Sequence, residues 1–287
     1  MTELAAADLD VVVVNYNAGA YLVRCLESVF GSAGDVSVAV AVVDNASRDR
    51  SARAAAERFP QIHVIENPDN RGLSAALNQG IRATASPFVL LLNPDAEITG
   101  GTLERLLKVA RDHPRAGAVG PLIRNPDGSV YLSGRRFPTV GQAVGHALLG
   151  PLWPGNPFSR AYRIDDWDRT TEREVDWVSL ACMLVPRAAF EDVGVFDEGF
   201  FLYAEELDFC TRLANAGWSV VFTPELEVTH EGGVSTGRSR RMTLEHSRGI
   251  YRYYAKHRSP GWRKALLPVA WLVLRLRAVL ASLRGRQ

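Results

Sequence analysis

The residues best suited to chemistry are acidic and stand at the ends of apolar runs. In FVLLLNPDAEI, Phe88 to Ile98, the apolar run stops at Asn93-Pro94-Asp95, with Glu97 just beyond. A carboxylate such as Asp95 is a hard oxygen donor suited to Mg²⁺ or Mn²⁺, ions that bridge protein and diphosphate through one or two carboxylates. Asn-Pro and Pro-Asp are also ordinary turn chemistry, and taken alone the turn is the stronger reading. In YAEELDFC, Tyr203 to Cys210, three acids crowd a helix start. Acids there complement the helix dipole. Asp208 can pair with Arg212 at i, i+4, which leaves Glu205, Glu206 or both to face a site, the two pointing about 100° apart. His230, in VTHEGG, follows a strand and could complete a metal shell.

Two further features are polar strand ends. Asp44 in VVDNAS could accept hydrogen bonds from a nucleobase or a ribose. It, Asn45 or Ser47 could equally cap the following helix. Asn70-Arg71-Gly72 enters another helix. The glycine allows close backbone approach, and the arginine and helix start favour an anion, although a solvated turn explains the stretch as well. GxGxxG, Walker A and GxSxG motifs are absent, which leaves dinucleotide, P-loop and serine-hydrolase chemistry unsupported.

The elements around these residues alternate. Apolar runs at Leu9–Val14, Val38–Val43, Ile62–Ile65 and Phe88–Leu92 read as strands, and Ala20–Phe30, Ser51–Phe59 and Leu73–Ala83 read as helices. Strands apolar on both faces, alternating with helices, predict a parallel sheet covered by helices. Ligands then lie beyond the strands' carboxyl ends, which here read NYN, DNAS, ENPDNRG and NPDAE. Further on, Ala116–Ile123 and Val130–Leu132 bracket a turn, and Gly134–Glu174 reads as a long, partly ordered loop over the site. Val175–Val185 is strand-like, Ala204–Ala216 helical, and Trp218–Phe222 and Leu226–Val228 are short strands.

The chain of 287 residues is 47% hydrophobic, enough for one large core. Cys25, Cys182 and Cys210 are far apart and odd in number, which favours a reducing compartment, and the N-terminus lacks the pattern of a signal peptide. The net charge of +1 hides an asymmetry: residues 238–287 hold 13 Lys and Arg against one acid, the remainder 20 against 31. A basic tail on an acidic body argues for an anionic surface as partner. The tail's uncharged run, Ala265–Leu274, is too short to span a bilayer, which takes roughly 20 residues. Flanked by basic residues and a tryptophan, with Arg275 and Arg277 following at once, it suits the plane of a membrane interface, ahead of packing on protein, with nucleic acid last.

Together and in this order, VVVVNYN, VVDNAS, NRGLSAALNQGI, LLLNPDAEI, VDWVSLACMLVPR, FFLYAEELDFCTRLANAGW and VTHEGG resemble the inverting glycosyltransferases of family 2, with the GT-A fold. Within it the chain is most similar to actinobacterial rhamnosyltransferases that act on polyprenyl-diphosphate-linked N-acetylglucosamine in cell-wall linker synthesis. The resemblance implies a GT-A domain over residues 1–237 and a basic helical extension over 238–287. It implies dTDP-L-rhamnose as donor, a divalent metal (Mg²⁺ or Mn²⁺), and a cytoplasmic enzyme peripheral on the inner membrane face, with a homodimer as a further option. Asp44, helped by Tyr16 and Asn17, would contact the base, and Arg71 and Gly72 would line the nucleotide site. Asn93 and Asp95 occupy the DxD place, Asp95 at the metal with His230. Asp176 and Trp177 would meet acceptor or sugar. Glu206 matches the catalytic base, with Glu205 as second choice and Glu97 simply solvated. A nucleotidyltransferase is the rival enzyme class, but NYNAGAYL lacks the basic, glycine-rich loop expected after its first strand.

Overall fold

A computed structural model describes residues 7–139, 155–164, 167–232 and 240–258, with single positions at 142, 149, 153 and 271. The uncharged run of the tail, Trp271 apart, lies outside the described residues.

The first four strands are β1 (Leu9–Asn15), β2 (Val38–Asp44), β3 (His63–Glu66) and β4 (Phe88–Leu92). They pair in parallel in the order β3-β2-β1-β4. Helices α1 (Tyr21–Gly31), α2 (Ser51–Arg58) and α3 (Leu73–Arg82) connect them. Parallel pairing brings the four polar strand ends to one edge, as the alternation predicts. Val11, Val12 and Val13 of β1 are fully buried, with one core cluster on each face of the sheet. That is why the interiors of β1, β2 and β4 are apolar on both faces, the buried Asp10 of β1 apart.

Beyond β4 come β5 (Ala96–Ile98), α4 (Thr102–Asp112), β6 (Ala116–Arg124), β7 (Val130–Tyr131), α5 (Pro157–Arg163), β8 (Arg173–Val175), β9 (Cys182–Pro186), α6 (Arg187–Val193), α7 (Glu205–Asn215), β10 (Ser219–His230) and α8 (Arg240–Tyr253). The sheet continues β4-β9-β6-β10-β5. β9 runs antiparallel between β4 and β6, while β6 and β10 are parallel to each other. The result is a mostly parallel sheet with helices on both faces.

Several expectations change in detail. The strand-like stretch Val175–Val185 is two strands, β8 and β9, on different neighbours. The two short strands after Trp218 are one, β10, whose register against β6 shifts between Thr223 and Glu227, around Pro224. The glycine- and arginine-rich loop contains α5, where Asn156 accepts from the Ser159 N–H at 3.0 Å with proline at the first turn. Helices α4 and α6 are additional to the predicted elements; in α4 the buried residues Leu103, Leu106, Leu107 and Ala110 follow the helical period.

The start of the basic extension packs on the catalytic body. Tyr253 of α8 is fully buried in the main core cluster, and the π-helical turn Tyr254–Arg258 continues it. Among the described residues no helix is long and apolar enough to cross a membrane.

Candidate active site

The sheet edge begins with a clamp of asparagines. Asn15 and Asp44 are register partners at the ends of β1 and β2, and the Asn15 amide donates to Asp44 Oδ1 at 2.7 Å. Asp44 Oδ2 accepts from the Ser47 N–H at 3.2 Å. Asn45 holds the next loop: its Oδ1 accepts from the Arg71 N–H at 3.0 Å, and its Nδ2 donates to the Gly72 carbonyl at 3.2 Å. None of Asp44, Asn45 and Ser47 caps α2, which starts after Arg50 with no side-chain cap. These residues are therefore committed to the shape of the edge. Tyr16, Asp44, Ser47, Glu66, Asn67 and Asn70 line a polar cavity of about 610 Å³ at that edge, within the usual range for small-molecule sites. Asn17, next in sequence to Tyr16, has φ +53° and accepts from the Arg48 N–H at 2.7 Å. The Arg71 side chain is exposed beside it.

Gly72 is needed where it stands. Its φ is +85°, and a Cβ there would lie 2.7 Å from the Phe201 carbonyl oxygen. The same carbonyl accepts from the Leu73 N–H at 2.7 Å. The loop before α3 is thereby pinned to the loop before α7.

The turn after β4 forms a second corner. Asp95 is 6% exposed, and its Oδ1 lies 3.2 Å from His230 Nε2 at the end of β10. The Asn93 amide lies 3.1 Å from the same nitrogen. The antiparallel pairing of β10 with β5, His230 opposite Ala96, fixes this meeting. A buried carboxylate and an imidazole nitrogen facing each other are a donor set that fits Mg²⁺ or Mn²⁺ with other positions left to ligand oxygens. Among the described residues no third His, Cys, Asp or Glu joins them. Glu97 is not simply solvated: it pairs with Arg24.

The third corner is the start of α7. Tyr203 and Ala204, with φ +73° and +70°, sit in the left-handed region that non-glycine residues avoid, at a cost of roughly 1–2 kcal/mol each. Packing offsets it, for Gly249 of α8 lies so close that a Cβ would be 2.3 Å from the Tyr203 carbonyl. The strained turn delivers two carboxylates inward. Glu205 is 3% exposed, and Oε2 of both Glu205 and Glu206 is buried with no hydrogen-bond partner. Burial and the neighbouring Glu206 push the Glu205 carboxyl well above the usual range. Burial also raises Glu206, against the pull of the Arg135 guanidinium. Asp208, the third acid, faces away: Arg212 at 3.0 Å, Lys256 at 2.8 Å and His257 at 2.7 Å converge on it and hold its carboxyl at about 2.

Asp176 and Trp177 lie beside Arg135. The Arg135 N–H donates to the Trp177 carbonyl at 3.0 Å, and Asp176 Oδ2 accepts from the Phe137 N–H at 2.5 Å. The Trp177 indole N–H donates to the Arg136 carbonyl at 3.2 Å, so its ring is buried and fixed. The structure thus groups Tyr16 and Asp44 at one corner, Asn93, Asp95 and His230 at another, and Glu205 and Glu206 at a third. Sequence reasoning missed Asn15 and Asn45 as the clamp, although both stand in quoted motifs.

The α/β sheet presents a polar cavity at its parallel strand ends, an Asp–His corner and a buried carboxylate pair, groups suited to transferase chemistry. The family model "Glycosyl transferase family 2" matches residues 10–174, and "Glycosyl transferase family group 2" matches residues 164–285. The chain is 39% identical over 275 residues to the N-acetylglucosaminyl-diphospho-decaprenol L-rhamnosyltransferase of Mycobacterium tuberculosis, covering 92% of this chain and 88% of that one. It is 29% identical over 210 residues to a low-salt glycan biosynthesis hexosyltransferase of Haloferax volcanii, covering 71% of this chain and 61% of that one. In fold it is similar to a mannosyltransferase of Pyrobaculum calidifontis solved with GDP-mannose and Mn²⁺, with a TM-score of 0.61 at 18% identity over 100% of this chain and 77% of that one. The chain belongs to glycosyl transferase family 2. Its fold is GT-A-like, and it is a hexosyltransferase by class.

Proposed function

We propose that this glycosyltransferase moves L-rhamnose from dTDP-L-rhamnose to a polyprenyl-diphosphate-linked N-acetylglucosamine, with inversion at the anomeric carbon. The likeness along nearly the whole chain to the mycobacterial enzyme supports the choice of L-rhamnose and of the lipid-linked acceptor. The polar cavity at Tyr16, Asp44 and Asn70 takes the nucleoside. Arg71 and the Gly72 backbone line its diphosphate side.

Glu206 is the base. It removes the proton from the acceptor hydroxyl as that oxygen bonds to the anomeric carbon and the bond to the nucleoside diphosphate breaks. Its orphaned, buried oxygen supports this role. Burial and the neighbouring Glu206 favour the protonated form of Glu205 beside it. Asp95 and His230 would hold a divalent cation, which would supply positive charge to offset that of a diphosphate leaving group. Asn93 orients His230, and Asp176 and Trp177 flank the sugar or acceptor. The extension from residue 238 begins as part of the body and continues as a basic tail that lies on the inner face of the membrane, where a lipid-linked acceptor resides.

The test is a screen of nucleotide sugars against a synthetic N-acetylglucosaminyl-diphospho-lipid with Mg²⁺ or Mn²⁺. We expect dTDP-L-rhamnose to be consumed with a rhamnosylated lipid as product. Preference for another nucleotide sugar overturns the donor assignment, and transfer only to a non-lipid acceptor overturns the acceptor assignment.

A further inference from the structure

Exposed apolar side chains scattered singly call for no explanation, but a gathering of them does. Among the described residues the exposed large hydrophobic side chains are Val130, Leu149, Trp153 and Phe158. All four fall between Gly128 and Ile164, a stretch with four arginines and no Asp or Glu, set in a body that is otherwise acidic.

Trp153 and Phe158, 56% and 42% exposed, are held outward by an anchored turn. The Trp153 N–H donates to the Leu149 carbonyl at 2.7 Å, which sets the two residues one helical turn apart. The side-chain amide of Asn156, fully buried, donates to the Trp153 carbonyl and to Ser159 Oγ, both at 2.7 Å. Beyond α5, Ile164 is buried in the main core cluster. The turn is thus fastened on its inner side by Asn156, Ser159 and Ile164, while Trp153, Phe158 and Arg160 face solvent. Arg136 and Arg160 are both exposed, and neither has an ion-pair partner among the described residues. The same loop meets the start of the basic extension, where the Tyr254 hydroxyl donates to the Pro138 carbonyl at 3.4 Å.

Aromatic rings beside unpaired arginines, with no carboxylate, suit the interface of an anionic bilayer. The rings enter at headgroup level and the guanidinium groups meet phosphate. A second copy of this chain fits less well. Among the described residues it exposes no other large hydrophobic side chain to receive the rings. Pairing this face with itself would bring Arg136 and Arg160 of both copies together, a like-charge juxtaposition.

We propose that the turn carrying Leu149, Trp153 and Phe158 is a membrane-docking surface, a contact with anionic phospholipid separate from the basic tail. A single weak contact attaches reversibly, and a second on the same chain binds at the effective concentration set by the first. The proposal deepens the reading of the protein as acting on a lipid-linked acceptor, but its first test needs neither donor nor acceptor. Full-length protein is floated with vesicles of phosphatidylglycerol and phosphatidylethanolamine. Trp153→Ser with Phe158→Ser should lower the partition coefficient by about tenfold or more, the loss expected when two partly buried aromatic side chains are removed. Arg160→Glu, a second variant at an exposed position, should lower it on these vesicles and leave binding to phosphatidylcholine vesicles unchanged. Quenching of tryptophan fluorescence by brominated acyl chains should shrink in Trp153→Phe. Wild-type protein that does not float, or a double serine variant that floats like wild type, overturns the proposal. Unchanged flotation with lost self-association in sedimentation assigns the face to a second copy instead.

The second test separates docking from acceptor recognition. The double serine variant should keep wild-type kcat/KM on a short-chain, water-soluble acceptor and lose activity on the same head group embedded in vesicles. An equal loss on both overturns the membrane role. Wild-type protein without transferase activity overturns the reading of function, and leaves the flotation result standing.

Discussion

At the residue scale, Glu205 and Glu206 are neighbours in sequence with opposite expected behaviour. Glu206→Gln should lower transfer by about 10²–10⁴-fold, the usual contribution of a general base, while donor binding measured by calorimetry is unchanged. Glu205→Gln copies the protonated acid and should keep most of the activity. It should also stabilise the fold at neutral pH. The folded Glu205 carboxyl titrates well above its ordinary value of 4.5. Below that value its burial costs nothing through ionisation. As pH rises above it, the folded state must hold a proton that the unfolded chain releases, and stability falls by at most about 1.4 kcal/mol per pH unit. Urea unfolding at pH 5 and pH 8 should show the gain of Glu205→Gln growing with pH. At the other corner, Asp95→Ala should abolish both transfer and its response to added Mn²⁺. Full wild-type activity in excess chelator would count against a cation at Asp95 and His230.

At the element scale, α7 is fixed from behind by Asp208, two residues after Glu206. The Asp208 carboxyl falls from 3.8 to about 2 in the fold. The stability this represents is fully present above pH 3.8 and is lost as pH falls through 2. The difference in unfolding free energy between wild type and Asp208→Asn should therefore be flat above pH 4. It should shrink by about 2 kcal/mol at most on going to pH 2. The elements were unevenly legible. β1, β2 and β4 are apolar on both faces, a pattern that buried parallel strands share with little else, so their polar ends could be aligned before any coordinates. β9 is equally apolar but antiparallel, and nothing local in Cys182–Pro186 states its direction. α4 carries a helical period in TLERLLKVARD that was there to be read. The site divides similarly: Asp95, His230 and the glutamates stand in compact motifs, whereas the contacts of Asn15 with Asp44 and of Asn45 with Arg71 are made across the fold, which spacing does not encode.

At the scale of the whole molecule, the basic extension begins with Tyr253 fully buried and Lys256 and His257 bound to Asp208. Its described part is anchored to α7, the helix that begins with Glu205 and Glu206. Trp271 contributes a ring contact to Tyr251, centroids 5.2 Å apart. Removing Trp262–Gln287 leaves the Asp208 contacts in place, so this truncation should retain folding while lowering binding to anionic liposomes in a flotation assay. Unchanged flotation would assign the tail to packing on protein.

The antiparallel strand β9 has a consequence for how the chain is made. It is synthesised after β4 and β6, yet it lies between them. While the ribosome works from residue 93 to residue 181, the nascent sheet presents the bare flank of β4, a template on which other chains can pair. A fragment of residues 1–174, the extent of the family 2 match, ends before the strand that fills this gap. Expressed alone it should partition into inclusion bodies, whereas a chain extended through residue 258 should be recovered in the supernatant.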